Sequence, residues 1–441
     1  MNTNKLENYL KYNLNKYKLF NLYYKNFDDT IKIIISALEI SFNYLSEIIN
    51  QIIYCDLYEE VYTYCYNILY NQYIETYIIN TIFNIDTKES IKILSKSIKI
   101  SLSFIHKFII PRRSYKKSYI KQNINNKKIV KQINFLKNIK LPEQKSDEWY
   151  IFRNSTITAS NIWKIFISEY SQSQLILEKC EEFNVNKFKV KNLNSPLHWG
   201  QKYEPVSILY YEYINNTTVS DFGCIPHENY SFIAASPDGI ICDSSSNLFG
   251  RMLEIKNVVS REITGIPKME YWIQMQIQME VCNLNECDFL ETKFVEYLDV
   301  NEYLNDMDFK YKGTFLQYVN DEDPIYIYTP FMLTDILSKE YNDWVESKDN
   351  EIKNQYPNIE YVKTIYWKLE VISCVLVLRN KYWFNTVLPD IELFWNNLLE
   401  EKETGKYKER IKKKRKLQIE DEKSKSDFPE KGCLIDKKNY N

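Results

Sequence analysis

From the start of the chain to about Ile110, apolar positions recur at helical spacing, and the first glycine is Gly200. That periodicity, with few breakers, predicts a bundle of helices. Its most apolar stretch, "IKIIISALEISFNYLSEIINQIIY", carries Lys32, Glu39 and Glu47. It is too charged to cross a membrane and suits a buried helix. Five of the eight glycines fall between Gly200 and Gly265, and the pattern changes with them. From Leu141 onward, "SDEWYIFRNSTITASNIWKIF" reads as a capped helix, a turn and a second helix, and "PLHWGQKYEPVSILYYEYI" as an amphipathic helix. "SFIAASPDGIIC" and "GRMLEIKNVV" read as strands, and "MEYWIQMQIQMEVCN" as a helix. "DFLETKFVEYL", "DPIYIYTP" and "IYWKLEVISCVLVLRN" are further strands, and "WFNTVLPDIELFWNNLLE" is a closing helix. The expected fold is α/β (α+β), a mixed central sheet flanked by helices and preceded by an all-α N-terminal region. The expected divisions are a helical domain over 1–110, a basic linker over 111–140, the mixed domain over 141–400 and a charged, disordered tail over 401–441.

Composition narrows the partners. The 57 Lys and Arg nearly balance the 59 Asp and Glu of the 441 residues, so any nucleic-acid surface is local rather than global. The basic 111–140 segment is a linker, a solvated helix face or a nucleic-acid contact. The Lys412–Lys416 run is a solvated tail, an import signal or a nucleic-acid tail. Nine cysteines form no CxxC pair, and the three histidines are far apart. That argues for free thiols in a reducing compartment and against zinc or iron–sulfur sites. Lys5, Glu7 and Lys11 interrupt any apolar leader. The expectation is a soluble intracellular protein without a membrane partner.

The chemistry concentrates in "SPDGIICDSSSNLFGRMLEIKN". In a strand, alternate side chains share a face. Leu253 and Ile255 therefore point into a core while Glu254 and Lys256 point the other way. Asp238 lies in a Pro-Asp-Gly turn beside the preceding apolar run. If the two strands pair, Asp238 stands next to Glu254. Two crowded carboxylates repel, unless a divalent cation lies between them, and hard oxygen donors select Mg²⁺ or Mn²⁺. Pro-Asp-Gly alone is an ordinary β-turn, and Glu-x-Lys alone is more often a same-face salt bridge. Their conjunction is sharper. Glu204 adds a carboxylate on an apolar helix face, with Gly200 expected to let that helix come close. "YWIQMQIQM" adds glutamines among apolar residues, with Gln274 and Gln278 on one helical face and Gln276 nearly opposite. Amides both donate and accept, so they either hold a water or phosphate or bond neighbouring backbone.

The ordered set "RNSTITAS … GQKYE … SPDG … LEIK … YWIQMQIQM" resembles the YqaJ-like viral recombinase domain, the lambda-type alkaline exonuclease group of the PD-(D/E)xK nucleases. The resemblance covers about Gln144 to Glu280 and continues to about Trp395. It implies a restriction-endonuclease-like core and a metal-dependent DNA exonuclease that digests duplex ends, 5′ to 3′, in viral-type recombination, repair or replication. It implies catalytic roles for Glu204, Asp238, Glu254, Lys256, Gln274 and Gln276. It implies Mg²⁺ or Mn²⁺ held by Asp238, Glu254, the carbonyl of Ile255 and Glu204, and a terminal 5′-phosphate held by Arg153, Thr158 and Ser160. It also implies duplex DNA ends as substrate, a single-strand annealing protein as partner, a homo-oligomer, trimeric in some members, and a host cytoplasmic or nuclear setting if viral. The alternatives are an endonuclease or junction-cleaving enzyme of the same superfamily, or an inactive DNA-binding nuclease fold.

Overall fold

The computed structural model describes residues 27–48, 51–52, 56–114, 126–144, 146–181, 192–193, 195–320 and 323–410. The N-terminal part is helical: α1 (Phe27–Glu47), α2 (Tyr58–Tyr70), α3 (Ile78–Phe83) and α4 (Thr87–Phe108), with a π-helical turn at Asn71–Glu75 after α2. Their apolar stripes meet in one core that includes Ile34, Ala37, Val61, Cys65, Leu69, Leu94, Ile98 and Leu102. Asp86 starts α4 by accepting the Glu89 N–H at 2.8 Å, which satisfies one of the open donors of a helix N-terminus.

Within the expected linker, the described residues 111–114 run beside the strand Glu360–Leu378, and Asn126–Asn138 form a helix. Arg113 pairs with Val375, the Leu376 N–H donates to the Arg112 carbonyl at 2.9 Å, and the Ser114 N–H donates to the Cys374 carbonyl at 3.0 Å. The helix α5 (Asn126–Asn138) buries Ile133 and Leu136, the latter in the core of the mixed domain. The Lys412–Lys416 run lies outside the described residues.

The mixed domain follows: α6 (Asp147–Asn154), β1 (Ile157–Thr158), α7 (Ala159–Ile162), α8 (Lys164–Ile167), α9 (Glu169–Cys180), α10 (Pro196–Asn215), β2 (Val219–Ser220), β3 (Ile225–Pro226), β4 (Ile233–Ala235), β5 (Gly239–Ile241), β6 (Met252–Asn257), α11 (Met269–Val281), β7 (Glu286–Glu296), α12 (Val300–Asn305), β8 (Lys312–Asn320), β9 (Asp323–Tyr328), α13 (Lys339–Gln355), β10 (Glu360–Leu378) and α14 (Lys381–Thr404). A seven-stranded sheet runs β2-β5-β6-β7-β10-β8-β9. Only β6 and β7 pair in parallel, so the sheet is mixed as expected. A smaller sheet, β1-β4-β3, stands apart.

The run "SFIAASPDGIIC" is therefore two strands, not one. The first half pairs with β1 and the second with β6, and Ser236-Pro237-Asp238 is the corner between the sheets. The proline supplies no N–H to a ladder, which suits a corner. Two helices cover opposite faces of β6. Leu253 and Ile255 pack with Tyr211 of α10, whereas Met252 packs with Met275, Ile277 and Met279 of α11.

Candidate active site

Strand register brings the acidic residues together. Gly239 lies opposite Leu253 in the antiparallel β5–β6 pair, so the next pair outward is Asp238 with Glu254. Residues 253 and 255 turn their backbone groups toward the β5 side. Beyond the end of β5 that edge is taken by Asp238, whose Oδ2 accepts the Ile255 N–H at 2.6 Å. The Ile255 carbonyl opens on the same edge.

Glu254 is fully buried, 0% exposed. A buried carboxylate needs donors, and three side chains supply them. Lys256 Nζ pairs with Oε1, Gln274 Nε2 donates to Oε1 at 2.7 Å, and Gln278 Nε2 donates to Oε2 at 2.6 Å. Gln274 and Gln278 are one helical turn apart on α11, so one face grips both oxygens. Gln276 points elsewhere. Its Nε2 donates to the Leu378 carbonyl at 3.0 Å, and its Oε1 accepts the Asn380 N–H at 2.6 Å. Gln276 thus closes the joint between β10 and α14, while Gln278 is the glutamine that joins Gln274 at Glu254. The helical spacing was the available signal.

Electrostatics follows from this crowding. Burial pushes the Asp238 carboxyl well above the carboxylate range, and the Glu254 charge pushes it further. Burial alone would lower the Lys256 ammonium, but Glu254 and Asp238 outweigh it and hold it raised. Lys256 is therefore held in its charged form beside Glu254 and Asp238. Its side chain is 26% exposed, and Nζ lies 5.2 Å from the Tyr271 ring centroid.

Glu204, on α10 over the other face of β6, lines the same open cleft of about 510 Å³ as Asp238, Ile255, Lys256 and Arg261. Gly200 also lines it. A Cβ there would meet nothing within 4 Å, so the expected close helix approach is absent. What fixes α10 instead is Asn257, the residue after "LEIK". Its Nδ2 donates to the Gly200 carbonyl at 2.7 Å, while its Oδ1 accepts the Ser207 hydroxyl at 2.7 Å and the Thr292 hydroxyl at 2.7 Å. Arg261 was also missed by sequence reading. It pairs with the buried Glu291, and its guanidinium lies 5.5 Å from the Tyr271 centroid, partners thirty and ten residues away that no local pattern connects.

The residues expected at a terminal phosphate form a second group. Thr158 is buried and its hydroxyl lies 3.1 Å from that of the exposed Ser160. The Arg153 guanidinium lies 4.6 Å from the Trp149 ring centroid. The Arg153 carbonyl accepts from the buried Lys179 at 2.7 Å, and burial lowers that lysine to about 8. Thr158 pairs with Ala234 in parallel strands, so Ser160 follows β1 as the Asp238 corner follows β4.

The donor set fits a hard divalent cation. Asp238 and Glu254 are close enough to raise the Asp238 proton affinity, and a carboxylate oxygen that accepts one N–H keeps a second lone pair. Among the described residues no three His, Cys, Asp or Glu side chains cluster at ligand spacing. A cation would be held by those two carboxylates and the Ile255 carbonyl, with Glu204 lining the same cleft. No described helix is long and apolar enough to cross a membrane.

Residues 148–285 match the family model of the YqaJ-like viral recombinase domain. An uncharacterized protein of Acanthamoeba polyphaga mimivirus is 30% identical over 338 residues, which span 67% of this chain and 58% of that protein's length. Among solved structures, an alkaline exonuclease from Laribacter hongkongensis is similar over 60% of this chain and 97% of its own, at 18% identity and a TM-score of 0.34. A phage related exonuclease from Haemophilus somnus is similar over 56% of this chain and 96% of its own, at 14% identity and a TM-score of 0.30. The match spans every residue from Arg153 to Gln278 named above, and over residues 148–285 this chain is similar to the YqaJ-like viral recombinase domain.

Proposed function

We propose that this protein is a metal-dependent deoxyribonuclease that degrades duplex DNA from its ends, with residues 141–400 as the nuclease domain. The observation that carries the reading is that Asp238 and Lys256 line one cleft while Glu254, buried beneath it, pairs with Lys256 and is gripped by Gln274 and Gln278. A bound Mg²⁺ or Mn²⁺ would supply Lewis-acid polarisation of the phosphate and a more acidic water. The chain's own groups do the rest. Asp238 lines the cleft, with the buried Glu254 carboxylate next to it. Gln274 and Gln278 hold both Glu254 oxygens and fix their orientation. Lys256 donates from its ammonium to the attacking water or to a phosphate oxygen, where negative charge builds up in the transition state.

Arg153, Thr158 and Ser160 support preference for an end over an interior site. A guanidinium and two hydroxyls suit the extra oxygens and charge of a terminal phosphate. Without that preference, the same cleft supports an endonuclease or junction-cleaving reading. The test is a linear duplex, 5′-phosphorylated and end-labelled, incubated with Mg²⁺, with Mn²⁺ and with chelator. The expected result is metal-dependent release of nucleotides from the 5′ end, abolished by Lys256→Ala. Internal cuts would replace the exonuclease with an endonuclease. Binding without cleavage in any metal would leave an inactive DNA-binding fold.

A further inference from the structure

The helical region carries a surface that the nuclease cleft does not use. On α2, the buried positions are Val61, Cys65 and Leu69, and these already fill the core side of the helix. Tyr58, Tyr62, Tyr66 and Tyr70 repeat every four residues on its flank and are half-buried, packed against the helical core but partly open to solvent. The rings form a continuous ridge. The Tyr62 and Tyr66 centroids are 6.1 Å apart at 20°, and the Tyr66 and Tyr70 centroids are 5.7 Å apart at 32°. Tyrosine is common throughout this chain, so its frequency carries no weight. The spacing does, and so does what lies beside it.

That neighbour is the outer face of α4. Lys88, Lys92, Lys96 and Lys99 are exposed and recur every three or four residues, opposite the buried Leu94, Ile98 and Leu102. The helix carries five lysines against one acidic residue, Glu89, which pairs with Lys92 at 2.8 Å. The two rows touch. Lys99 Nζ lies 5.9 Å from the Tyr62 centroid, and the Arg112 guanidinium lies 4.3 Å from the Tyr58 centroid. At a helical rise of about 1.5 Å per residue, each row runs for about 16–18 Å.

We propose that this paired row of rings and ammonium groups binds single-stranded DNA, bases against the tyrosines and phosphates toward the lysines. Stacking and phosphate neutralisation together are what sequence-tolerant single-strand binding requires. Duplex DNA hides its base faces and would use only the lysines. The Tyr58 end of the row adjoins Arg112, whose carbonyl is bonded to β10. The track thus starts where the helical region joins the sheet.

The proposal stands independently of the nuclease reading and is tested without turnover. Fluorescence anisotropy with a labelled oligothymidylate, in chelator, measures binding to the full chain. Lys96→Glu with Lys99→Glu changes two exposed side chains. It is expected to weaken binding about tenfold or more and to flatten its salt dependence. Tyr66→Leu keeps apolar bulk but removes the ring, and is expected to weaken binding about fivefold or more. Tyr66→Phe keeps the ring and is expected to bind within about twofold of wild type. Circular dichroism confirms the helices in each variant. Unchanged affinity in the lysine variant, or equal affinity for Tyr66→Leu and Tyr66→Phe, overturns the proposal. So does a polyglutamate peptide that competes as well as the oligonucleotide, since it offers no base to stack. Duplex cleavage, assayed separately on the same variants, reports the nuclease reading on its own.

Discussion

Asp238 is held in a place that disfavours its charge. Burial and the neighbouring Glu254 raise its proton affinity, so the folded state gains from the protonated form. That stability is present at low pH and is lost as the pH rises through the raised folded value. Asp238→Asn removes the charge while keeping an acceptor for the Ile255 N–H. It is expected to abolish cleavage yet raise Tm at neutral pH, with the gain shrinking toward pH 4. Mg²⁺ is expected to raise Tm of the wild type and to leave the variant unmoved. A variant that melts lower at neutral pH would refute this account of the site. The glutamines divide in the same way. Gln278→Ala leaves the buried Glu254 one donor short and is expected to lower cleavage at least about tenfold, near the 1–3 kcal/mol of an unsatisfied buried group. Gln276→Leu strands the Asn380 N–H and the Leu378 carbonyl. It is expected to lower stability by about 1–3 kcal/mol with cleavage per folded molecule unchanged. Denaturant melts and rates on both variants separate the two roles.

At the scale of elements, His106 in α4 shows how the helical core is tuned. Its Nδ1 lies 2.8 Å from the Ile110 carbonyl, and burial lowers the ring to about 4. The neutral ring is what folds. Full stability is present above the unfolded value near 6.5 and is lost as the pH falls toward 4, by at most about 3 kcal/mol. The stability gap between wild type and His106→Phe is therefore expected to shift in favour of the variant between pH 7.5 and 4.5. Helix melting followed by circular dichroism measures it, and a gap independent of pH would rule out the histidine as its source. A second element-scale device is Asn257, which ties α10 to β6 and so sets where Glu204 stands over the cleft. One amide does what helix periodicity alone assigned to Gly200.

Over the whole molecule, the helical region is fastened to the seven-stranded sheet by chemistry, not merely by sequence continuity. Arg112 pairs with Asp56. The Ser114 hydroxyl donates to Asp288 at 2.7 Å, beside Arg251, which is 1% exposed and pairs with Asp288 at 3.3 Å. Ile266, from the loop that follows Arg261, packs on the helical core. Removal of residues 1–114 is expected to strip that cover and speed trypsin cleavage at Arg261 and Lys268. Equal cleavage rates in the long and short chains would show that the helical region does not brace this loop.

The sequence by itself determined most elements and pointed to the side chains that gather around the β5–β6 corner. Helical and strand periodicities are local, and Asp238, Glu254 and Lys256 lie within one hairpin whose register follows from alternation. The same holds for Glu204, Gln274 and the four-residue spacing that put Gln278 beside Gln274. Only the tertiary structure decided which glutamines serve Glu254 and which one braces β10, because that depends on what packs against each face of α11. It alone separated β4 from β5 into two sheets, turned part of 111–140 into a sheet edge and a core helix, and brought Asn257 to Gly200 and Arg261 to Glu291. Those choices rest on contacts between residues tens to hundreds of positions apart, and no pattern along a single chain encodes which distant partner a side chain meets.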